Sequence, residues 1–297
     1  MKIRIGSRGS KLALIQAALV KNELTALNLD LDIEIVPIET TGDKKKSADL
    51  TKIGGKALFI KEIQEALLEK TIDIAVHSMK DIPAFIPDCF TIAAVLMRED
   101  PRDVFLSHDG TKLLDMPIGS IIGTSSPRRA VQILNYRPDL KTTPFRGNVD
   151  SRMEKVLNRK VDATLLAIAG LNRLGAHNIN YQILEQDIII PAVGQGVICS
   201  ECLTDNHRII ELLQKINHEQ TSTLIRAERG FLETIGGTCK TPIGAYSEFT
   251  HNNSIQLSCF LANEDWTKSA KRIFIGSVSD AYNIGKNAAH VMIELVK

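Results

Sequence analysis

The sequence predicts an α/β fold with a smaller α+β domain at the end of the chain, and three observations support this prediction. Over the first two thirds, short β-rich runs alternate with helical patterns, which is typical of parallel sheets covered by helices. The remaining third instead shows a helix, three successive strand patterns and a last helix. The length of 297 residues is enough for two or three domains with their own cores.

The predicted elements of the first two thirds follow one another in a regular order. KIRI predicts the first strand, a helix follows from about Lys11 to Leu27, and LDIEIVPI predicts the second strand. GGKALFIKEIQEALLEK has the pattern of a helix, and TIDIAV predicts a strand that ends at HSMKDIP. GSIIGT predicts a strand before a helix with Ser126 as its N-cap and Pro127 at the favoured first position. VDATLLAI predicts a further strand, which AGLNRLG follows.

The last part of the chain has a different pattern. A helix over EQTSTLIRAERGFLETI precedes strand patterns at about 243–249, 254–262 and 270–277, and a final helix is expected over about 280–296. The segments MREDPRD and PAVGQG are typical of domain boundaries. We therefore expect a discontinuous first domain of residues 1–98 and 197–215, a second domain of 99–196, and a C-terminal domain of 216–297.

Composition and charge disfavour several classes of function. The chain is 44% hydrophobic and 24% charged, and its net charge of +1 gives no general attraction to nucleic acid or to an anionic membrane. MKIRIGSRGSK lacks the apolar segment of a secretory signal, and no uncharged run reaches the roughly 18 residues of a membrane helix. Five cysteines, an odd number, favour free thiols in a reducing cytoplasm.

Cationic side chains recur where the predicted strands end, which is the edge at which open α/β sheets bind ligands. Between residues 98 and 173 the chain has 9 Arg and 4 Lys, against 6 Arg and 17 Lys elsewhere. Arginine binds carboxylate or phosphate through a planar fork that lysine lacks, and the helix start at Ser126 adds free N–H groups. We therefore expect a polyanionic ligand, although any single arginine could equally form a structural ion pair. The cations at strand ends are Arg8, Lys80, Arg128, Arg129, Arg146 and Arg173.

Asp81 is the one carboxylate in this set of strand-end residues. It could cap the turn before the following proline, or it could stabilise positive charge or carry protons in a reaction. His77, at the end of the same strand, is expected to be structural rather than to act directly.

Other motifs that carry chemistry are missing or incomplete. The chain has no phosphate loop, no G-x-G-x-x-G opening a helix, no H-E-x-x-H and no G-x-S-x-G, which disfavours a nucleotide-dependent enzyme. Aromatic residues make up 5%, too few for a platform that stacks single-stranded nucleic acid. Cys199 and Cys202 have C-x-x-C spacing but lack the further ligands of a zinc site, so no metal is expected.

Cys239, in IGGTCKTPIGAY, is the cysteine to which we assign chemistry. Gly236 and Gly237 suit the end of the preceding helix, and Pro242 prevents the helix from resuming. Cys239 is therefore expected on an accessible loop, where thiols are reactive.

Ten segments in order resemble the porphobilinogen deaminase (hydroxymethylbilane synthase) family over essentially the whole chain. They are GSRGSKLALIQA, TTGDK, GGKALFIKEIQEALL, DIAVHSMKDIP, REDPRDVF, GTSSPRRAVQ, FRGNVDSR, AGLNRLG, PAVGQG and CKTPIGAY. The resemblance implies three domains, two of them like type II periplasmic binding proteins, with the active site between these two.

The resemblance also implies a reaction. Four porphobilinogen molecules are condensed head to tail, with release of ammonia, into the linear tetrapyrrole hydroxymethylbilane. A dipyrromethane cofactor, joined by a thioether to a loop cysteine that corresponds to Cys239, primes the chain. Each porphobilinogen carries an acetate and a propionate, so the growing chain is a polyanion of the kind that the arginines predict. A monomer is implied as well.

The resemblance assigns roles residue by residue. Asp81 would contact pyrrole N–H groups and stabilise the positive charge that develops after loss of ammonia. The residues implied to bind the cofactor, besides Asp81, are Lys80, Ser126, Arg128 and Arg129. The residues implied to bind substrate or support elongation are Arg8, Ser10, Gln16, Arg146, Arg152 and Arg173. An active-site loop would contain Lys52, Lys56 and Phe59. One departure is Thr238, which stands between Gly237 and Cys239 where the family reads G-G-C.

Two other classes of function remain alternatives. A two-lobed module that binds anions or solutes without catalysis would account for the α/β pattern and the cations, but not for the third domain, Cys239 or Asp81. A transferase acting on phosphorylated substrates would need the phosphate-loop signatures that are missing.

Overall fold

The computed structural model describes residues 1–41, 60–176, 179–237 and 241–297. The chain divides into two compact units: Met1–Glu99 with Val197–Thr223, and Asp100–Gly196 with Leu224–Lys297. The first unit contains one sheet and the second contains two. The three-domain boundaries expected from the sequence stay a prediction.

Strands and helices alternate through much of the described chain. The strands are β1 Lys2–Arg8, β2 Asp32–Ile38, β3 Ile74–Ser78, β4 Phe90–Val95, β5 Asp103–Ser107, β6 Ile121–Gly123, β7 Lys141–Thr143, β8 Ala163–Ala167, β9 Gln182–Leu184, β10 Ile198–Leu203, β11 Ile243–Thr250, β12 Ser254–Ala262 and β13 Ser269–Ser277. The helices are α1 Lys11–Ala26, α2 Lys61–Leu68, α3 Pro127–Tyr136, α4 Val149–Leu157, α5 Ile168–Leu174, α6 His207–Gln214, α7 Glu219–Ile235 and α8 Ala281–Val296.

The sheet of the first unit has the order β2-β1-β3-β10-β4. β1 runs parallel to β2 and β3, whereas β10 runs antiparallel to β3 and β4. Apolar side chains of the sheet and of the helices packed on it form a core of the first unit. They include Ile3, Ile5 and Ile74 of the strands and Leu24 of α1, each fully buried. A strand that returns from far along the chain thus lies beside the end of β3.

The larger sheet of the second unit repeats this order, as β7-β6-β8-β5-β9. β6 runs parallel to β7 and β8, and β5 runs antiparallel to β8, with Asp103 opposite Ala167. The first residue of β5 therefore lies at the edge where β8 ends. The two sheets confirm the predicted fold class as far as its two α/β parts and the small α+β part that follows them.

The α+β part is an antiparallel sheet with the order β11-β12-β13, within the second unit. α7 and α8 cover one face, where Phe231, Leu257 and Met292 are fully buried. On the other face, Phe260 of β12 packs against Ile190 and Val131 of the α/β part of the same unit. The last sheet and the α/β part of this unit are thus held together by apolar burial.

The predicted end of the helix before Cys239 is confirmed. α7 ends at Ile235, and Gly236 adopts φ 68°, a left-handed conformation that glycine takes without a Cβ penalty. The Gly236 N–H donates to the carbonyls of Leu232 and Glu233, both at 3.1 Å. The chain direction into the segment that contains Cys239 is therefore set by a local signal.

Candidate functional site

In the first unit, the candidate residues lie at the carboxyl edge of the sheet. β1 ends at Arg8 and β3 ends at Ser78, and the parallel pairing of Ile5 with Ile74 brings these ends to the same edge. A single 3₁₀ turn, Met79–Asp81, follows β3. Met79 is 3% exposed and anchors the turn, whereas Lys80 and Asp81 are exposed. The fold thus presents these two charged side chains beyond the strand end.

The Asp81 carboxylate makes no hydrogen bond or ion pair with any residue in the described ranges. Its position depends on the backbone, in which Met79 N–H donates to the Val197 carbonyl at 2.9 Å and Ile82 N–H donates to the Met79 carbonyl at 3.1 Å. An exposed carboxylate on a fixed turn can receive N–H donors from a ligand.

The polar residues of α1 are engaged within the first unit. Ser10 is the N-cap, and its Oγ accepts from the Ala13 N–H at 3.4 Å. Gln16 is 5% exposed; its Nε2 donates to Ser78 Oγ at 2.9 Å, and its Oε1 lies 3.2 Å from the same hydroxyl. Gln16 therefore holds the end of β3, and the expectation that it contacts substrate stays a prediction.

His77 has the surroundings of a structural residue, as the sequence predicts. It is 6% exposed, and its Nε2 lies 3.3 Å from Oε2 of Glu201 on β10. Glu201 itself is fully buried.

In the second unit, α3 begins where β6 ends. Ser126 is the N-cap, its Oγ accepts from the Arg129 N–H at 3.4 Å, and Pro127 takes the first helical position, both as predicted. Ser126 N–H donates to Thr124 Oγ1 at 3.2 Å, which fixes the approach to the helix. Arg128 and Arg129 follow in the first turn.

A carboxylate that the sequence analysis did not identify, Asp103, binds both arginines. Asp103 is fully buried; Arg128 Nη1 lies 2.7 Å from its Oδ2, and Arg129 Nη2 lies 2.6 Å from its Oδ1. Arg128 also donates to the Ile190 carbonyl at 2.8 Å, and Arg129 donates to the Leu165 carbonyl at 2.9 Å. Both guanidinium groups are therefore fixed in orientation before any ligand binds.

This cluster retains positive charge. Burial would raise the pKa of Asp103, but the charges and hydrogen bonds of Arg128 and Arg129 outweigh burial and hold the pKa far below its ordinary range. Asp103 is therefore an anion, and one carboxylate faces two guanidinium groups. The three residues together carry one net positive charge in a buried environment.

Arg146 and Arg152 add charge that no carboxylate in the described ranges balances. Arg146 follows β7, and Arg152 lies in the first turn of α4. Burial, with the like charges of Arg129 and Arg146, lowers the pKa of Arg152 to about 10. Arg152 Nε is buried without a hydrogen-bond partner among the described residues. An anion that approached Arg152 would both neutralise charge and satisfy this donor.

Arg173, in the last turn of α5, also lies within the second unit. Its Nη2 donates to the Gly196 carbonyl at 2.6 Å. Arg173 thus supports the backbone of the PAVGQG segment, and its role toward a ligand stays a prediction.

Four predicted site residues lie outside the described ranges. They are Lys52, Lys56 and Phe59 of the expected active-site loop, and Cys239, the expected attachment point of the cofactor. Thr238, the departure from the family pattern, lies outside them as well.

Asp103 was missed because its partners are distant in sequence. The available signal was a carboxylate placed at the start of the apolar run VFL, since buried carboxylates are rare unless paired. In that arginine-rich segment, the expected partner was an arginine.

Among the described residues, no helix has both the length and the apolar character needed to cross a membrane. Solved structures with a similar arrangement include an ancestral cationic amino acid solute binding protein, with 13% identity, a TM-score of 0.46, and coverage of 72% of this chain and 87% of that one. The periplasmic VFT2 domain of BvgS from Bordetella pertussis has 15% identity and a TM-score of 0.45, with coverage of 72% and 86%.

Two family models match consecutive parts of the chain. Residues 3–211 match the model described as porphobilinogen deaminase, dipyromethane cofactor binding domain, and residues 222–294 match the model of the porphobilinogen deaminase C-terminal domain. The porphobilinogen deaminase of Rickettsia akari is 46% identical over 296 residues, 99% of this chain and 98% of its own length. That of Orientia tsutsugamushi is 46% identical over 290 residues, 97% of each. The chain belongs to the porphobilinogen deaminase family.

Proposed function

We propose that the protein is an active porphobilinogen deaminase, which condenses four porphobilinogen molecules head to tail into hydroxymethylbilane and releases ammonia. Membership of the family supports this proposal. The observation that carries it is the arginine cluster of the second unit, in which Asp103 is the partner of two arginines while Arg146 and Arg152 have no ion pair among the described residues. Such a cluster suits a ligand that carries several carboxylates.

The residues present fit the dipyrromethane cofactor that the family model names. The cofactor is made from two porphobilinogens and so carries acetate and propionate groups, which need cationic donors. Arg152 has a buried N–H without a partner in the described ranges, and its charge is disfavoured by burial and by Arg129 and Arg146. We assign cofactor carboxylates to Lys80, Ser126, Arg128 and Arg129, and substrate carboxylates to Arg8, Ser10, Gln16, Arg146, Arg152 and Arg173.

The reaction needs a charge-stabilising group more than a strong base. In each addition the C–N bond of the substrate aminomethyl group breaks, a C–C bond forms, and the proton lost from the attacked ring carbon balances the ammonia that leaves. Dipyrromethane, when bound, supplies the pyrrole carbon to which the first substrate is joined. Positive charge develops on a pyrrole during this exchange, and the Asp81 carboxylate can accept the pyrrole N–H and stabilise that charge.

Pre-organisation is the contribution of the second unit. Because Asp103, the Ile190 carbonyl and the Leu165 carbonyl already hold Arg128 and Arg129, little orientation entropy is lost when a carboxylate binds. The N-terminus of α3, the positive end of the helix dipole, favours negative charge at the same strand end.

We further propose that Cys239 carries the cofactor through a thioether, and that the protein works as a monomer in the cytoplasm, in tetrapyrrole biosynthesis. The described cysteines support a reducing location, since Cys89, Cys199, Cys202 and Cys259 are all free thiols. Light scattering during gel filtration tests the monomer, and a dimer at micromolar concentration would contradict it.

The proposed activity is tested by incubating the purified protein with porphobilinogen and measuring ammonia and tetrapyrrole together. An active deaminase releases four ammonia molecules for each hydroxymethylbilane formed. A solute-binding module without catalysis would deplete free porphobilinogen in equilibrium dialysis yet release no ammonia, and that result would contradict the proposal.

A further inference from the structure

A buried polar chain lies along β3, the strand that precedes the turn with Asp81. Gln64 of α2 donates through Nε2 to Glu201 Oε1 at 2.8 Å, and the other oxygen of Glu201 lies 3.3 Å from His77 Nε2. Glu201 is fully buried and His77 is 6% exposed. The three residues come from α2, β10 and β3, so the chain connects three elements of the first unit.

Glu201 and His77 meet in a buried site. Oε2 of Glu201 and Nε2 of His77 lie 3.3 Å apart, and neither atom makes a hydrogen bond with a described residue. An unpaired buried carboxylate is costly, which makes this contact and the Gln64 hydrogen bond the features that fix the Glu201 side chain.

The same strand pair fixes the backbone that leads to Asp81. β10 runs antiparallel to β3 with Cys199 opposite His77, and Cys199 Sγ lies 3.6 Å from the His77 carbonyl. One step further, Met79 N–H donates to the Val197 carbonyl at 2.9 Å. The beginning of the turn is thus attached to β10 by backbone and side-chain contacts, whereas no hydrogen bond or ion pair in the described ranges orients the Asp81 carboxylate.

We propose that Glu201 is a positioning residue for Asp81, acting with Gln64 and His77. Its buried contacts fix the end of β3, and this fixes the direction of the following turn. The inference rests on the proposed function, because it concerns the carboxylate assigned to charge stabilisation. A displacement of about 1 Å in such a group can lower a rate by about 100-fold, so a support of this kind has a measurable effect on catalysis.

The test compares Glu201→Leu, Glu201→Gln and wild type, each as the cofactor-loaded full-length enzyme. Glu201→Leu breaks the chain, and we expect kcat to fall about 10- to 100-fold while KM changes less than about twofold. Glu201→Gln can accept from Gln64 and donate to His77 Nε2, so it should restore most of kcat. All rates are expressed per loaded enzyme, counted by intact mass.

A matched control separates positioning from stability. Leu213→Ala, in the core of the same unit, leaves a cavity that destabilises the fold, yet it should leave kcat per loaded enzyme unchanged. Hydrogen exchange of the segment 74–82 gives a readout without turnover: Glu201→Leu should speed exchange there, and Leu213→Ala should do so far less.

The inference would be overturned if Glu201→Leu and Leu213→Ala lowered kcat equally. It would also be overturned if the kcat of Glu201→Leu stayed within twofold of wild type. If Glu201→Leu does not fold, Gln64→Leu tests the inference instead, since it removes the hydrogen bond on the other side of Glu201. Unchanged kcat and unchanged hydrogen exchange in Gln64→Leu would then overturn the inference. A wild-type enzyme that releases no ammonia would instead contradict the proposed function, and the exchange data would still report on the turn.

Discussion

Arg152 has no carboxylate partner among the described residues. We therefore predict that replacing Arg152 stabilises the protein when no cofactor is bound. Arg152 is charged while partly buried beside Arg129 and Arg146, and these surroundings lower its pKa to about 10. At 1.36 kcal/mol for each unit of pKa, the charged form is disfavoured by roughly 3 kcal/mol. Arg152→Gln removes this cost, but the packing lost with the aliphatic part of the arginine side chain offsets part of the stabilisation. We expect Arg152→Gln to raise the free energy of unfolding by about 1–3 kcal/mol.

The pH dependence of this effect has a defined sign. Because the pKa is lowered in the folded state, the cost is fully present wherever Arg152 is charged in both states, which is below about pH 10. The cost is relieved as the pH rises above about 10, because the folded protein then releases the proton of Arg152 before the unfolded chain does. The advantage of Arg152→Gln should therefore be constant from pH 7 to 9, a range in which both proteins can be compared.

Urea unfolding at pH 7 in a Cys239→Ala background, which removes the proposed attachment point of the cofactor, provides the assay. Arg159→Gln is the control, since Arg159 is an exposed arginine of the same unit and its replacement should change stability by less than about 0.5 kcal/mol. In the loaded enzyme the sign should reverse, because a cofactor or substrate carboxylate then pairs with Arg152. A loss of more than about 1 kcal/mol from Arg152→Gln in the cofactor-free protein would refute the reasoning.

Two further predictions concern the carboxylates of the two units. Asp81→Ala should change the free energy of unfolding by no more than about 0.5 kcal/mol, because the side chain is exposed and makes no hydrogen bond or ion pair in the described ranges. In the same variant kcat should fall by about 100- to 1000-fold, and near-normal turnover would remove Asp81 from its proposed role. Asp103→Asn should lower the free energy of unfolding by about 3–5 kcal/mol, since it leaves two buried guanidinium groups without their anion. A change below about 1 kcal/mol in urea unfolding would contradict the assigned ion pairs.

The order of strands and helices could be predicted from the sequence because its signals are local. The start of α3 at Ser126 and Pro127 depends on capping and on the fixed φ of proline, and the end of α7 at Gly236 depends on a left-handed glycine. Each of these signals lies within a few residues of the feature it predicts.

The partners of the charged residues could not be predicted in this way. Asp103 and Glu201 lie on β5 and β10, the antiparallel strands, whose neighbours are decided by the sheet order and not by sequence distance. The number of arginines between residues 98 and 173 also overstated how many of them are available to bind an anion. Arg102 pairs with Asp100 and Glu185, and Arg137 pairs with Asp139, so these arginines are structural.

The central claim is that a polyanionic primer is held on Cys239 and bound by the arginines, and intact-mass spectrometry of the purified protein tests it most directly. We predict a mass above that of the polypeptide by two linked pyrrole units, and its complete loss in Cys239→Ala. An unmodified wild-type protein that still converts porphobilinogen to hydroxymethylbilane would contradict the account.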